Sequence, residues 1–266
     1  MRWSREQYRE LMTFGAVERP MFAELFGPLV GLEAEWRAQG ASEDEINLTA
    51  FDWDYVPVIG CGGHTAPRGL PPVTLEETSE YLVQRDYLGR TVKLCKATAT
   101  IPLPLNFPVK TMDDWRRLKP MFEFAPDRID PAQMARARQA EAWVLAGMPG
   151  AFDTARELMG EELACLAYYD QPELMADIVQ TLSDTTFAVL ERVSREVRID
   201  QLSVHEDFAG KSGPLVGPDI VRAYFRPYYR RIWEMLAERG TRVFQLDSDG
   251  NLQPVLDALL DGGLTS

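Results

Sequence analysis

The sequence predicts an α/β fold built on parallel strands, and three observations carry that prediction. From Trp143 onward, extended apolar runs alternate with helix-length segments. Polar, titratable residues gather where those runs stop, and Gly/Pro-containing loops lead into the next helix. A TIM barrel and a doubly wound open sheet both place their chemistry at such strand ends, so this rhythm fits either. No GxGxxG or Walker A fingerprint occurs, which disfavours nucleotide binding.

Taken in order, residues 4–14 fit a short helix, residues 21–26 a first strand, and residues 29–39 a helix closed by Gly40. An aromatic, acidic, extended stretch over 51–60 runs into the glycine-rich loop Cys61-Gly-Gly-His64. Residues 80–96 read as a β-hairpin turning at Asp86 and Gly89. Thr111 suits an N-cap with Asp113 and Asp114 in the first turn, and Asp130-Pro131 opens a helix running to Ala142. Residues 143–149 form a strand and residues 152–169 a helix. Residues 172–196 form a longer helix with Leu174, Ile178, Leu182, Val189 and Val193 on one face. The strand 199–207 ends in His205-Glu206-Asp207. A loop over 210–217 precedes a helix over 219–239, kinked at Pro227. The run Val243-Phe-Gln-Leu leads into Asp247-Ser-Asp249-Gly, and a last helix covers 254–260. Asp247 and Asp249 share a period-2 spacing, so their side chains point to one side while strand geometry lasts.

Composition bounds the function. The 266 residues are 45% hydrophobic and 26% charged, ordinary for a globular chain with a sizeable core. The net charge of −13 argues against non-specific nucleic-acid binding and against an anionic membrane surface. Cys61, Cys95 and Cys165 form no CxxC pair or disulfide framework, which points to a reduced cytoplasm. The N-terminus has no signal-peptide core, and no apolar stretch is long enough to span a bilayer.

Several motifs resemble the uroporphyrinogen decarboxylase superfamily, which includes corrinoid-dependent methyltransferases. They are Asp86-Tyr-Leu-Gly-Arg, Gly147-Met-Pro-Gly, Leu158-Met-Gly-Glu-Glu, His205-Glu-Asp-Phe-Ala-Gly, Phe225-Arg-Pro-Tyr-Tyr-Arg-Arg-Ile and Asp247-Ser-Asp-Gly. The resemblance runs from about Pro20 to the end of the chain. It implies a TIM (β/α)8-type barrel with its site in the mouth. About five βα units are expected, with the strands that would close the barrel missing. One domain spans 1–266, with an N-terminal region and hairpin insertion over 1–110 and regular βα units over 141–266. A partner protein or a second copy forming a homodimer would cover the open barrel edge.

The departures from the family are specific. The arginine pair that grips substrate carboxylates in the decarboxylases has no match at residues 21–27. Their tyrosine is replaced by Ala155-Arg156 and their serine by Asp207. The zinc motif of the methyltransferases, His-x-Cys-Gly, stands here as Asp247-Ser248-Asp249-Gly250, and a carboxylate pair suits harder cations or none.

The resemblance therefore implies methyl or one-carbon transfer, with a corrinoid carried by a partner protein. The alternatives are cofactor-free decarboxylation of uroporphyrinogen, a tetrapyrrole, and a non-catalytic barrel fragment. The candidate catalytic residues are Asp247, Asp249, Asp207, Glu206 and His205. Arg156, Glu24 and His64 are candidates for substrate binding. A divalent metal, if one binds, would use Asp247, Asp249 and His205.

Overall fold

The computed structural model describes residues 1–24 and 26–265. The chain begins with three short helices, α1 (Arg5–Met12), α2 (Leu32–Ala38) and α3 (Glu43–Ile46), and then β1 (Val58–Gly60). Four strands follow: β2 (Val73–Glu77), β3 (Tyr81–Arg85), β4 (Thr91–Cys95) and β5 (Leu103–Pro104). Helices α4 (Met112–Leu118) and α5 (Pro131–Gln139) lead to β6 (Trp143–Met148). Next come α6 (Ala151–Met159), α7 (Glu161–Asp170), α8 (Pro172–Val193) and β7 (Gln201–His205). A two-residue hairpin, β8 (Ala209–Gly210) and β9 (Gly213–Pro214), precedes α9 (Pro218–Ile220) and α10 (Arg226–Glu238). The described chain closes with β10 (Val243–Asp247) and α11 (Leu256–Asp261).

Strands β1, β6, β7 and β10 form one parallel sheet in that spatial order, which is also their order in the chain. β2 to β5 form a separate antiparallel sheet. The parallel sheet with its covering helices is thus as the sequence predicts, but among the described residues it has four parallel strands rather than about five. Among the described residues β1 and β10 each pair on one side only, so the sheet does not close on itself.

The missing strand is the one expected over 21–26. Met21–Glu24 and Phe26 lie outside regular structure, and Leu25 lies outside the described residues. The physical reason is local. The Asp54 carboxylate accepts the Phe22 N–H at 2.9 Å, and the Asp54 N–H donates to the Phe22 carbonyl at 2.6 Å. The Phe22 ring stacks on Trp53 at 4.3 Å. Both backbone groups of Phe22 are therefore satisfied by one residue, and no ladder is needed.

Other boundaries shift for identifiable reasons. The single helix expected over 152–169 is two helices, broken at Gly160. That glycine has φ +81°, and the Phe107 ring occupies the space its Cβ would need. The helix expected over 219–239 contains a π-helical turn, Val221–Phe225, just ahead of Pro227. The wide turn falls where Pro227 brings no N–H to the helical ladder, so the helix widens there. Helices α4 and α5 start at the expected caps, Thr111 with a full capping box and Asp130 ahead of Pro131. All five apolar residues read on the face of α8 are buried.

The two faces of the parallel sheet differ. One packs under the helices: Phe244 lies on Trp233 of α10 at 5.7 Å, and Ala146, Met148, Leu202 and Val204 join the core. The other carries Trp143, Gln201, Ser203 and Gln245, and Tyr8 of α1 sets its ring edge-on to Trp143 at 5.0 Å. On this face burial falls steadily toward the strand C-termini. Trp143, Gln201 and Val243 are buried, Leu145, Ser203 and Gln245 half-buried, and Gly147, His205 and Asp247 exposed. Tyr8 of α1 covers this face where the strands begin, and it is open where they end.

Arg128 fixes the loop that follows β1. It is 1% exposed and donates to four backbone carbonyls: His64 (3.1 Å), Ala66 (2.5 Å), Met121 (2.7 Å) and Glu123 (2.9 Å). A planar fork with five donors is what this arrangement requires. Arg128→Lys is expected to leave carbonyls unpaired and to lower stability by about 2–3 kcal/mol, read from the denaturant midpoint at unchanged m.

Candidate functional site

The strand ends bring four loops together. After β1, Thr65 donates its hydroxyl to the Gly147 carbonyl at 2.7 Å, tying that loop to the end of β6. After β6, Pro149-Gly150 turns straight into α6. After β7 come Glu206 and Asp207, and after β10 come Ser248 and Asp249.

Glu206 is the structural knot. It is completely buried, and its carboxylate accepts the first N–H groups of α6: Ala151, Phe152 (3.1 Å) and Asp153 (2.9 Å). The Tyr229 hydroxyl donates to the same carboxylate. The neighbouring Tyr228 hydroxyl donates to the Pro149 carbonyl at 2.9 Å. Helix α6 starts at Gly150 without a side-chain cap of its own. Glu206 therefore supplies the cap from another strand, at the end of the helix where the dipole favours a carboxylate. Burial lifts the Glu206 carboxyl to about 7, against the opposing pull of Tyr229 and the backbone N–H groups.

Gly150 makes this contact sterically feasible. Its φ of −68° would suit any residue, but a Cβ there would strike the His205 carbonyl and the Glu206 carboxylate. Gly150→Ala is accordingly expected to cost about 1–3 kcal/mol by overpacking, visible as a lower thermal midpoint.

Above this knot lies the mouth. Asp153 binds Arg156 at 2.6 Å, and Arg156 reaches Asp207 at 3.5 Å. His205 turns Nδ1 toward the other Asp153 oxygen at 3.4 Å. His205 and Asp247 are register partners on adjacent strands, so they stand side by side on the open face. Asp249 joins through its backbone, whose N–H donates to Asp207 at 3.2 Å. Beside them is a hollow of about 260 Å³ lined by Thr65, Tyr87, Phe122, Asp153, Glu157 and His205. A larger hollow of about 500 Å³, between α1 and Ala140–Glu141, carries none of these strand-end groups.

Of the residues the sequence nominates, the structure gathers His205, Asp207, Asp247, Asp249 and Arg156 at the mouth. Glu206 is beneath it, enclosed. His64 is exposed on the β1 loop, its carbonyl held by Arg128. Glu24 is exposed in the N-terminal segment, where its carboxylate accepts the N–H groups of Phe26 and Gly27. Neither His64 nor Glu24 lines the hollow. Asp153 is absent from the sequence nomination, because an acid in a first helical turn reads as a dipole partner. Tyr229 reads as packing, yet a buried phenol calls for a hydrogen-bond partner, and that signal was available.

The donor set does not fit a metal. Among the described residues no group of three or more His, Cys, Asp or Glu side chains stands close enough to hold one. Asp249 meets the cluster through its N–H rather than its carboxylate.

A helix-covered parallel sheet with its polar groups at the strand C-termini is the arrangement of TIM-type and related α/β proteins. No family model and no curated protein matches the chain. Among solved structures, a methyltransferase from Methanosarcina mazei is similar, with a TM-score of 0.53 and 12% identity. The match covers 97% of this chain and 73% of that one. At that identity the likeness is one of fold. No helix among the described residues is long and apolar enough to cross a membrane.

Proposed function

We propose that the protein transfers a methyl or other one-carbon group to or from a small molecule bound at the mouth. The observation that carries this reading is His205, standing on a strand end beside a hollow of small-molecule size. Asp153 lies behind its Nδ1 and Asp247 beside it. Asp153 holds the imidazole with Nδ1 protonated, which leaves Nε2 free as an acceptor. His205 then takes the proton from the attacking thiol or amine as the acceptor's bond to the one-carbon group forms and the donor's bond to that carbon breaks, the donor keeping the electron pair. Arg156, clamped between Asp153 and Asp207, is a wall of this site rather than a free anion receptor. Glu206 has a positioning role: it holds the start of α6, and with it Asp153, against the end of β7.

The fold of the similar methyltransferase supports this reaction class. In the corrinoid-dependent methyltransferases that the sequence motifs resemble, a corrinoid supplies or accepts the methyl group. At about 260 Å³ the hollow is below the usual 300–1,000 Å³ of drug-sized sites and cannot enclose a corrin ring. A corrinoid would therefore stay on a partner protein and meet the rim. The same size, together with the acidic rim, weighs against uroporphyrinogen, a larger molecule with several carboxylates.

The experiment is to incubate the protein with methylcobalamin and a series of thiol, amine and tetrahydrofolate acceptors, following the cobalt spectrum. Acceptor-dependent loss of the methyl–cobalt bands supports the proposal. No spectral change with any acceptor, alongside conversion of a porphyrinogen substrate, replaces it with decarboxylation.

A further inference from the structure

The hairpin turn between β3 and β4, Asp86-Tyr-Leu-Gly-Arg90, reaches the mouth. Asp86 accepts the N–H groups of Leu88 (3.0 Å) and Arg90 (2.9 Å), and Gly89 turns at φ +88°. Arg90 is buried. Its Nε donates to Asp86 at 2.6 Å, and its other arm pairs with Glu157 of α6. One guanidinium thus clasps the turn to the helix that carries Asp153. Leu88 enters the core. Tyr87 is held from both ends although it is 45% exposed. Its carbonyl accepts the Leu70 N–H at 2.8 Å. Its side chain lies so close to Gly69 that a Cβ added there would meet the Tyr87 Cβ at 2.7 Å.

Tyr87 lines the same hollow as His205. Leu88, Phe122 and Met148, all buried, make that hollow largely apolar. No lysine or arginine lines it. Its two carboxylates, Asp153 and Glu157, stand one helical turn apart on α6, and each already holds an arginine, Arg156 and Arg90. An anionic group entering would meet carboxylates with no cation to receive it. An ammonium group would have to compete with a guanidinium already in place. An uncharged body meets neither cost. Two aromatic rings and a thioether favour a flat one. A hollow of about 260 Å³ has room for one ring rather than several.

We infer that Tyr87 is the specificity-determining wall of this hollow, and that the acceptor it selects is a thiol or uncharged amine carried on a neutral, single-ring body. The ring packs on Tyr87 and Phe122, and the thiol or amine turns to His205. This rests on the reading that the mouth holds an acceptor, and it names the chemical class of that acceptor. The wall costs little to organise on binding, since Arg90, Gly69 and Leu70 already hold it.

The test uses three thiols under reducing conditions: phenylmethanethiol, ethanethiol, which lacks the ring, and 4-(sulfanylmethyl)benzoate, which adds a charge to it. Each is titrated into 15N-labelled protein without a methyl donor. The chain has two histidines, so the His205 ring signals are assigned by their loss in His205→Gln. In the wild type, phenylmethanethiol is expected to move those signals and to bind about tenfold tighter than either of the other thiols. In Tyr87→Ala its preference over ethanethiol falls to about twofold or less. Tyr87→Phe keeps the ring and keeps the preference. Tyr87→Leu, apolar but ringless, takes the place of alanine if Tyr87→Ala lowers the unfolding midpoint. Equal affinity of phenylmethanethiol and ethanethiol in the wild type overturns the inference. So does a preference that survives the loss of the ring, one that is lost in Tyr87→Phe, tight binding of the carboxylate, or the absence of any His205 shift. A protein that shows the preference yet transfers no methyl group keeps this assignment and loses the function proposed above.

Discussion

Glu206→Ala is expected to lower the unfolding free energy by about 3–5 kcal/mol, measured by chemical denaturation at neutral pH. The substitution strips the first turn of α6 of the carboxylate that caps it and leaves the Tyr229 hydroxyl without that partner inside the core. Tyr229→Phe removes one donor from the same carboxylate and should cost less. Glu206→Gln falls between, because its amide nitrogen would face N–H donors. The pH dependence separates the ionisation from the contacts. The folded-state value of about 7 lies above the ordinary carboxyl value of 4.5, so the native state holds this proton more tightly than the unfolded chain. The corresponding stability is complete below pH about 4.5 and is lost as pH rises through about 7. The loss is at most about 3 kcal/mol, at about 1.4 kcal/mol per unit. Glu206→Gln should flatten that segment of the profile. A wild-type profile with no such decline would show that the four donors keep the carboxylate ionised throughout.

His205→Gln should reduce methyl transfer by about 10²–10⁴-fold while leaving the denaturation midpoint where it was. The side chain is 57% exposed, so the core loses almost nothing when it changes. Glutamine keeps polar atoms near Asp153 but cannot take a proton from an attacking group. Asp153→Asn tests the orientation separately: it leaves the imidazole in place and removes the acceptor that fixes its tautomer. A rate unchanged in His205→Gln would remove the histidine from the chemistry and leave the carboxylates as the groups to examine.

Much of the fold was legible in the sequence where a local rule decides the outcome. The apolar stripe of α8, the caps at Thr111 and Asp130, the hairpin around Asp86 and the strands ending at Met148, His205 and Asp247 all follow from periodicity and punctuation. The failures lie where distant residues decide. Residues 21–26 have strand composition, but Asp54 claims the backbone of Phe22. Glu206 sits between two exposed polar neighbours and reads as a third member of one cluster. Its burial depends on the absence of a side chain at Gly150 and on a hydroxyl from α10. Gln245 lies in an apolar run that reads as a buried strand. Only the pairing of three strands reveals that it joins a hydrogen-bonded row with Trp143, Gln201 and Ser203.

The order of the parallel strands bears on how the chain reaches this state. Each neighbour in the sheet is separated from the next by a long crossover, from Gly60 to Trp143, Met148 to Gln201 and His205 to Val243. Such pairings form only after long loops have closed, whereas β3 and β4 are joined by a short turn and zip locally on a scale of about 1–10 μs. Local pairing thus favours early formation of the hairpin and late assembly of the mouth. Until β10 docks beside β7, Gln245 and Asp247 have no neighbours to work with, and Glu206 lacks the Asp247 carbonyl that receives its N–H.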